Sequence, residues 1–339
     1  MTATTIPARR RVQRLWAAAA LVPAVFLSAC GSPAPSGGGD APGNSGAQGG
    51  TLSIATGGTG GVYYPLGGGF ATVIRDNVTG YDATVQETNA SVDNMLLIEN
   101  GSAQLAFAVG DVVSDAVEGA GEFKGKPLEV CSLGNIYNNF MQAVTVDSTG
   151  IQNVKDMAGK VVSVGAPSSA TEVGALRILE AAGIDPTSGI QRRQLGAAET
   201  IAALRDGTID AGFWSGGLPT GALIDLASDG DMNLLPIGEY ADPLAQKYGA
   251  YYVKQDIPAN TYEGQTEAVP AIASPNILVA SKKMDQKLQQ DITTALFENQ
   301  EALIKVHPAA KEMDRATAGD VPFVETCPGS KAYFDKAGS

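Results

Sequence analysis

Four short segments hold the residues best suited to chemistry: Thr56-Gly57-Gly58-Thr59-Gly60-Gly61, Thr88-Asn89-Ala90-Ser91, Gly110-Asp111 and Gly165-Ala166-Pro167-Ser168-Ser169. Each follows an apolar run and precedes a stretch of helical spacing, so each reads as a strand-to-helix turn. Small and hydroxyl residues leave the main-chain amides approachable and add hydroxyl donors. A helix N-terminus has unpaired N–H groups and partial positive charge, which suits an anion. Several such turns around one cleft would grip a carboxylate without a charged partner. Each also has a purely structural explanation. Ser169-Ala170-Thr171-Glu172 is a capping box, and Ser91 can serve as an N-cap. Recurrence of one chemistry at successive strand ends is what favours a binding site.

Other chemistries are excluded by residue type. No lysine follows Gly60 or Gly61, so the glycine run is not a nucleotide triphosphate loop. Its spacing and the position of Glu87 also fail the dinucleotide fingerprint. The single histidine, His307, precedes Pro308 and suits a helix end. With no candidate Ser-His-Asp or Cys-His pair, no enzyme is expected. Cys131 and Cys327 stand far apart with no neighbouring histidine, so neither a metal nor a cofactor is expected. In an oxidising compartment these two thiols can pair or stay free, and spacing alone does not choose.

Strands and helices alternate, which implies parallel pairing with helical crossovers. Strands are expected at Thr51–Ala55, Asp82–Glu87 and Gln104–Val109, with helices at Tyr63–Asp76, Ser91–Glu99 and Asp111–Val117. The pattern restarts with strands at Gly159–Gly165, Ile190–Leu195 and Ile209–Trp214. Helices fall at Ala170–Ala182, Ala198–Arg205 and from Pro219 to Ala227. Met141–Val146 would carry the chain out and Ala271–Ala280 would bring it back, with the C-terminal helices from Met284 packing on the first unit. This predicts an α/β clamshell of two lobes joined by two crossover strands. Lobe 1 would comprise residues 51–145 and 270–339, and lobe 2 residues 146–269. Ligands of open α/β sheets bind at the carboxyl ends of strands.

The N-terminus indicates where the protein works. Arg9, Arg10, Arg11 and Arg14 precede an apolar run from Leu15 to Leu27 that is too short to span a bilayer. Leu27-Ser28-Ala29-Cys30 resembles a lipobox, so residues 1–29 read as a lipoprotein signal peptide. Residues 30–50 would then be a lipidated Cys30 and a flexible Gly/Ser/Pro linker. The expected location is extracytoplasmic, with membrane lipid as a partner through Cys30. Without those 29 residues the balance is 19 basic to 36 acidic residues, which argues against nucleic acid as a partner.

The turns also carry a resemblance. Thr59-Gly60-Gly61-Val62-Tyr63-Tyr64-Pro65-Leu66-Gly67 resembles the opening motif of the TAXI family, the solute-binding subunits of TRAP transporters. Thr88-Asn89-Ala90-Ser91-Val92-Asp93-Asn94, Gln104 to Asp111, Ile151 to Thr171 and Asp210 to Pro219 are similar to further elements in the family's order. Cys327-Pro328-Gly329-Ser330-Lys331-Ala332-Tyr333-Phe334 resembles its terminus. The likeness covers nearly all of Thr51 to Gly338. Departures lie at Ala90, Ser168 and Ala170, where the family has Gly, at Val109-Gly110, where it often has Gln-Ser, and at Cys327, where it has His.

The resemblance implies a type II periplasmic-binding-protein-like clamshell, a monomer, that delivers a small anionic ligand to TRAP membrane subunits. Glutamate, glutamine and related dicarboxylates are the implied solutes. Thr59, Gly60, Tyr63, Thr88, Ser91, Asn94 and Asp111 would hold the ligand from lobe 1. Ser168, Ser169, Thr171, Trp214 and Gly217 would hold it from lobe 2. Asp111 could accept an amine or merely offset a helix dipole, and Trp214 could wall the pocket or fill the core. Of Tyr63 and Tyr64, at most one can face the cleft. Arg177, Arg192 and Arg193 are expected to face solvent. Cys327 would lie near Cys131 in lobe 1, which favours a disulfide. An ABC-type or sensor-coupled lipoprotein would share the fold and differ in its partner.

Overall fold

A computed structural model describes residues 49–337. The expected signal peptide, Cys30 and nearly all of the expected linker lie outside the described residues. Gly50, the linker's expected last residue, begins the first strand.

The first unit runs β1 (Gly50–Ala55), α1 (Tyr63–Asn77), β2 (Tyr81–Gln86), α2 (Ser91–Glu99), β3 (Leu105–Val109) and α3 (Gly110–Glu118). A long strand, β4 (Val130–Val146), then leaves it. The second unit runs β5 (Val161–Ser163), α4 (Ala170–Ala181), β6 (Gln191–Arg193), α5 (Ala197–Arg205), β7 (Ala211–Gly216) and α6 (Gly221–Ala227). It closes with β8 (Met232–Leu235), α7 (Ala241–Tyr248) and β9 (Val253–Ile257). A second long strand, β10 (Val269–Ser281), returns to α8 (Gln286–Glu298), α9 (Gln300–Val306) and α10 (Pro328–Ala337).

The strands order as β2-β1-β3-β10-β4-β7-β5-β6, with β8 on β4 and β9 on β10. β1, β2 and β3 are parallel, as are β5, β6 and β7, while β4 and β10 run antiparallel to their neighbours. Each long strand serves both units. β10 pairs with β9 through Val269–Ala273 and with β3 through Asn276–Ala280. Pro275, which has no N–H to donate, sits between those two pairings.

Helices cover both faces of each unit. Leu66, Phe70, Val73 and Ile74 of α1 recur at helical spacing and bury against Leu288, Ile292 and Leu296 of α8 in one cluster. α2 and α3 close the opposite face with Met95, Ile98 and Val112. The second unit repeats this, with Ile178 and Leu179 of α4 on one face and Ile201, Leu223 and Leu226 of α5 and α6 on the other. Strands covered on both faces become continuously apolar, and all five residues of β3 are buried. Edge strand β6 is exposed and holds two arginines, which discourage further pairing.

Cys131 and Cys327 form a disulfide that ties β4 to the residue before α10, with Cα atoms 4.9 Å apart. His307 ends α9, and its Nδ1 accepts from the Ala309 amide, a capping role.

Candidate functional site

A cavity of about 720 Å³ opens at the carboxyl ends of β1, β2, β3, β5, β6 and β7. Its wall includes Gly57–Tyr63 after β1, Glu87–Ser91 after β2 and Val109 at the end of β3. The second unit adds Ala166, Pro167 and Ser169–Thr171 after β5, Gln194–Glu199 after β6 and Trp214–Gly216 of β7. Tyr137 contributes from the crossing strand β4. The strand-end rule thus gathers one wall from both units.

Eight of the twelve expected ligand residues line this cavity: Thr59, Gly60, Tyr63, Thr88, Ser91, Ser169, Thr171 and Trp214. Several already have partners. The Thr88 hydroxyl donates to Asn94 Oδ1 (2.6 Å) and accepts from the Ala90 amide (3.0 Å). Ser169 Oγ caps α4 by accepting from the Glu172 amide (3.1 Å). Thr171 Oγ1 accepts from the Ser215 amide (3.0 Å) and fixes β7 beside α4. Ser91 is the first residue of α2 and not its cap, because Ala90 occupies the capping position at φ 77°. The Ser91 hydroxyl instead accepts from the Val109 amide (3.2 Å). Tyr63 is buried and Tyr64 is exposed, so one ring of the pair faces the cleft. Burial pushes the Tyr63 phenol far above its ordinary pKa, and it stays neutral. Its hydroxyl donates to Asn276 Oδ1 (2.8 Å) and accepts from Asn139 Nδ2 (3.2 Å), linking the wall to both crossing strands.

The other four lie outside the lining. Asn94 is fully buried and donates to the carbonyls of Thr56 (2.6 Å) and Phe107 (2.8 Å), holding α2 to the ends of β1 and β3. Gly217 lets Tyr137 approach: a Cβ there would sit 2.8 Å from Tyr137 Cε2. Ser168 is exposed, donates its amide to Glu172 Oε2 (2.8 Å), and accepts across the cleft from the Asp93 amide (3.3 Å).

Asp111 joins the two units away from the cavity. It accepts from the Tyr252 hydroxyl (2.7 Å) and lies 3.7 Å from Arg177 Nη1. Arg177 also donates to Asp115 Oδ2 (2.6 Å) and lies 4.1 Å over the Tyr248 ring. Arg177 is therefore not the solvent-facing residue expected from its position. An arginine with two carboxylates and a ring in reach loses less by burial than by separation. Burial raises the Asp111 carboxyl above its ordinary pKa despite the opposing pull of Arg177 and Tyr252.

Tyr137 and the Gln194–Glu199 turn are lining residues the sequence reading missed. The turn obeys the rule that found the others, since Gly196 opens a helix directly after a strand. Tyr137 left no such signal, because Asn138 and Asn139 interrupt the apolar pattern of β4. Among the described residues no group of three His, Cys, Asp or Glu side chains could hold a metal. No described helix is long and apolar enough to cross a membrane.

Residues 54–338 match the family model described as the NMT1-like family. The chain belongs to that family. Among solved structures, this NMT1-like chain is similar to a binding-protein component of an ABC phosphonate transporter from Pseudomonas aeruginosa. That match has a TM-score of 0.54 at 9% identity and covers 78% of this chain and 80% of the other. A putative L-cystine ABC transporter protein from Listeria monocytogenes matches at TM-score 0.47 and 15% identity, over 78% and 95% of the two chains. The periplasmic aliphatic sulphonate binding protein of Escherichia coli matches at 0.44 and 15%, over 84% and 82%. The first likeness is one of fold, and with the topology above it makes this NMT1-like chain a type II clamshell.

Proposed function

We propose that this NMT1-like chain is an extracytoplasmic solute receptor that captures a small organic acid between its two units. The observation that carries this reading is a cavity walled by six strand ends and by residues of both units. Closure over a solute then couples binding to a shape that a membrane partner recognises. Residues 51–145 with 270–339 form one lobe in this reading and residues 146–269 the other, hinged where β4 and β10 cross.

The finer identity rests on the motif resemblance. It points to TRAP membrane subunits as the partner and to glutamate, glutamine or a related dicarboxylate as the solute. The lipobox-like Cys30 supplies the membrane tether and leaves the body a monomer on a linker. A second reading is favoured by the fold likeness to ABC-transporter binding components: the same capture, handed to an ABC permease. Neither reading requires catalysis by the chain.

The test is solute binding by the purified protein, followed through Trp214 fluorescence. Trp214 lines the cavity and is the only tryptophan among the described residues. A carboxylate-bearing solute should shift its emission, raise thermal stability by a few kcal/mol at saturating concentration, and remain chemically unchanged. Turnover of the solute would sink the receptor reading. Loss of uptake in a deletion strain, restored only with the cognate permease genes, separates the TRAP from the ABC partner.

A further inference from the structure

The lining of the cleft carries formal charge of one sign. Glu87, Asp93 and Glu199 contribute carboxylates, and among the described lining residues there is no lysine, arginine or histidine. Asp93 accepts from the Asn89 amide (3.3 Å). Glu87 and Glu199 have no hydrogen-bond or ion-pair partner among the described residues.

The donors are distributed just as unevenly. In the turns before α2 and α4 the protein's own side chains already take amides: Thr88 Oγ1 takes Ala90, and Glu172 takes Ser168. Acidic residues in the first turns of α2, α4 and α5 offset those helix dipoles. The first turn of α1 holds no acid. Between Gly57 and Val62 the Gly61 amide alone donates among the described residues, to the Gly58 carbonyl (3.1 Å), and the other amides there have no partner among them. Tyr137 lines the same cavity, and its buried hydroxyl has no partner among the described residues.

We propose that the cleft is built for a zwitterion bearing one carboxylate and one cationic nitrogen. The free amides from Gly57 to Val62 receive the carboxylate, and Glu87 and Glu199, with Asp93, receive the nitrogen. A solute with two carboxylates would present its second negative group to these side chains with no cation among the described lining residues to offset it. Among the acids implied by the motif resemblance, those with an amino group and no net negative charge fit, and amine-free dicarboxylates do not. The inference rests on the solute-receptor reading and narrows its solute class.

Isothermal titration of the purified protein tests it with the standard amino acids, 5-aminovalerate, glutarate and 2-oxoglutarate. 5-Aminovalerate and glutarate have similar length and differ by an ammonium in place of a carboxylate. The best binder among the members with an amino group and no net negative charge should bind at least tenfold more tightly than glutarate and 2-oxoglutarate. A Glu87→Gln, Glu199→Gln double variant, its fold confirmed by a cooperative thermal transition, should shrink that gap at least tenfold. A dicarboxylate that binds as tightly as the best amino acid would overturn the zwitterion and leave the receptor standing, as would a gap unmoved in the double variant. Absence of binding by every member would overturn both.

Discussion

Trp214 of the second unit lies so close over Gly61 of the first that a Cβ on Gly61 would be 2.9 Å from Cζ2 of the indole. The Trp214 Nε1 donates to Thr220 Oγ1 (3.2 Å), which holds the ring in that position. The Gly60 carbonyl beside it accepts from the Ala222 amide of the second unit (3.2 Å). A glycine here is a condition of closure, because any side chain must displace the indole or hold the units apart. Gly61→Ala should therefore weaken solute binding and leave the fold intact. Overpacking of this kind costs about 1–3 kcal/mol, or roughly 5- to 150-fold in affinity. Titration calorimetry reads the affinity and small-angle scattering reads the closure; an unchanged dissociation constant would refute the role.

Ala90 should gain from losing its side chain. It holds φ 77° and ψ −145°, a region that L-residues avoid and glycine enters freely. Relief of such strain is worth about 1–3 kcal/mol, against about 0.5–1 kcal/mol for the entropy a glycine loses on folding. Ala90→Gly should raise the unfolding free energy by about 1 kcal/mol in urea titrations. A loss of stability would show that the turn is not strained.

Arg177→Met should destabilise the protein by about 3 kcal/mol, because it leaves Asp111 and Asp115 without their cation. The deficit depends on pH. Burial already raises both carboxyls, and removing the arginine raises them further. A folded state that holds protons more tightly than the unfolded chain loses stability as pH rises above the ordinary aspartate value of about 3.9. The variant's deficit should accordingly be larger at pH 7 than at pH 4. Equal deficits at both would mean the cluster carries no net charge coupling.

The disulfide between Cys131 and Cys327 spans a sequence separation of 196 residues, and both cysteines are buried. Chain-entropy reasoning assigns such a long loop about 5 kcal/mol, with native-state effects lowering the yield. A Cys131→Ser, Cys327→Ser double variant should lose roughly 2–5 kcal/mol by denaturant unfolding. It should also cease to respond to reductant. Equal midpoints for the oxidised protein and the variant would contradict this.

His307 gives an acid-side signature, being the sole histidine of the chain. Burial lowers its pKa below the ordinary value of about 6.5, with the Pro219 main chain pulling the other way. The unfolded chain then binds the proton more readily. Its contribution is complete above about pH 6.5 and is lost as pH falls through the lowered value. His307→Gln should flatten the stability profile between pH 5 and 7. A slope identical to that of the parent would remove His307 as its source.

Much of this protein is legible in its sequence, because the signals are local. Alternating apolar runs and hydroxyl- or glycine-rich turns marked α1 to α6 to within a residue or two and their strands nearly as well, but gave no sign of β8, α7 or β9. The rule of strand carboxyl ends pointed to the face that holds the cavity. The crossing strands were only half legible: β4 begins at Val130, well before Met141, because its polar waist at Asn138 and Asn139 disguises it. Residue type indicated which side chains could hydrogen-bond but not which were already occupied. Asn94 and Asp111 carry suitable chemistry, yet one is spent inside its own unit and the other on Arg177.

What the sequence determined by itself was the alternation and the turn chemistry, both set within a few residues of chain. Tertiary structure decided which amides remain free, which carboxylates share one cavity, and that Trp214 must fit over Gly61. Those depend on bringing together segments more than a hundred residues apart. Hydrogen-bond saturation and van der Waals contact are properties of such pairs, and no single stretch of sequence contains both members.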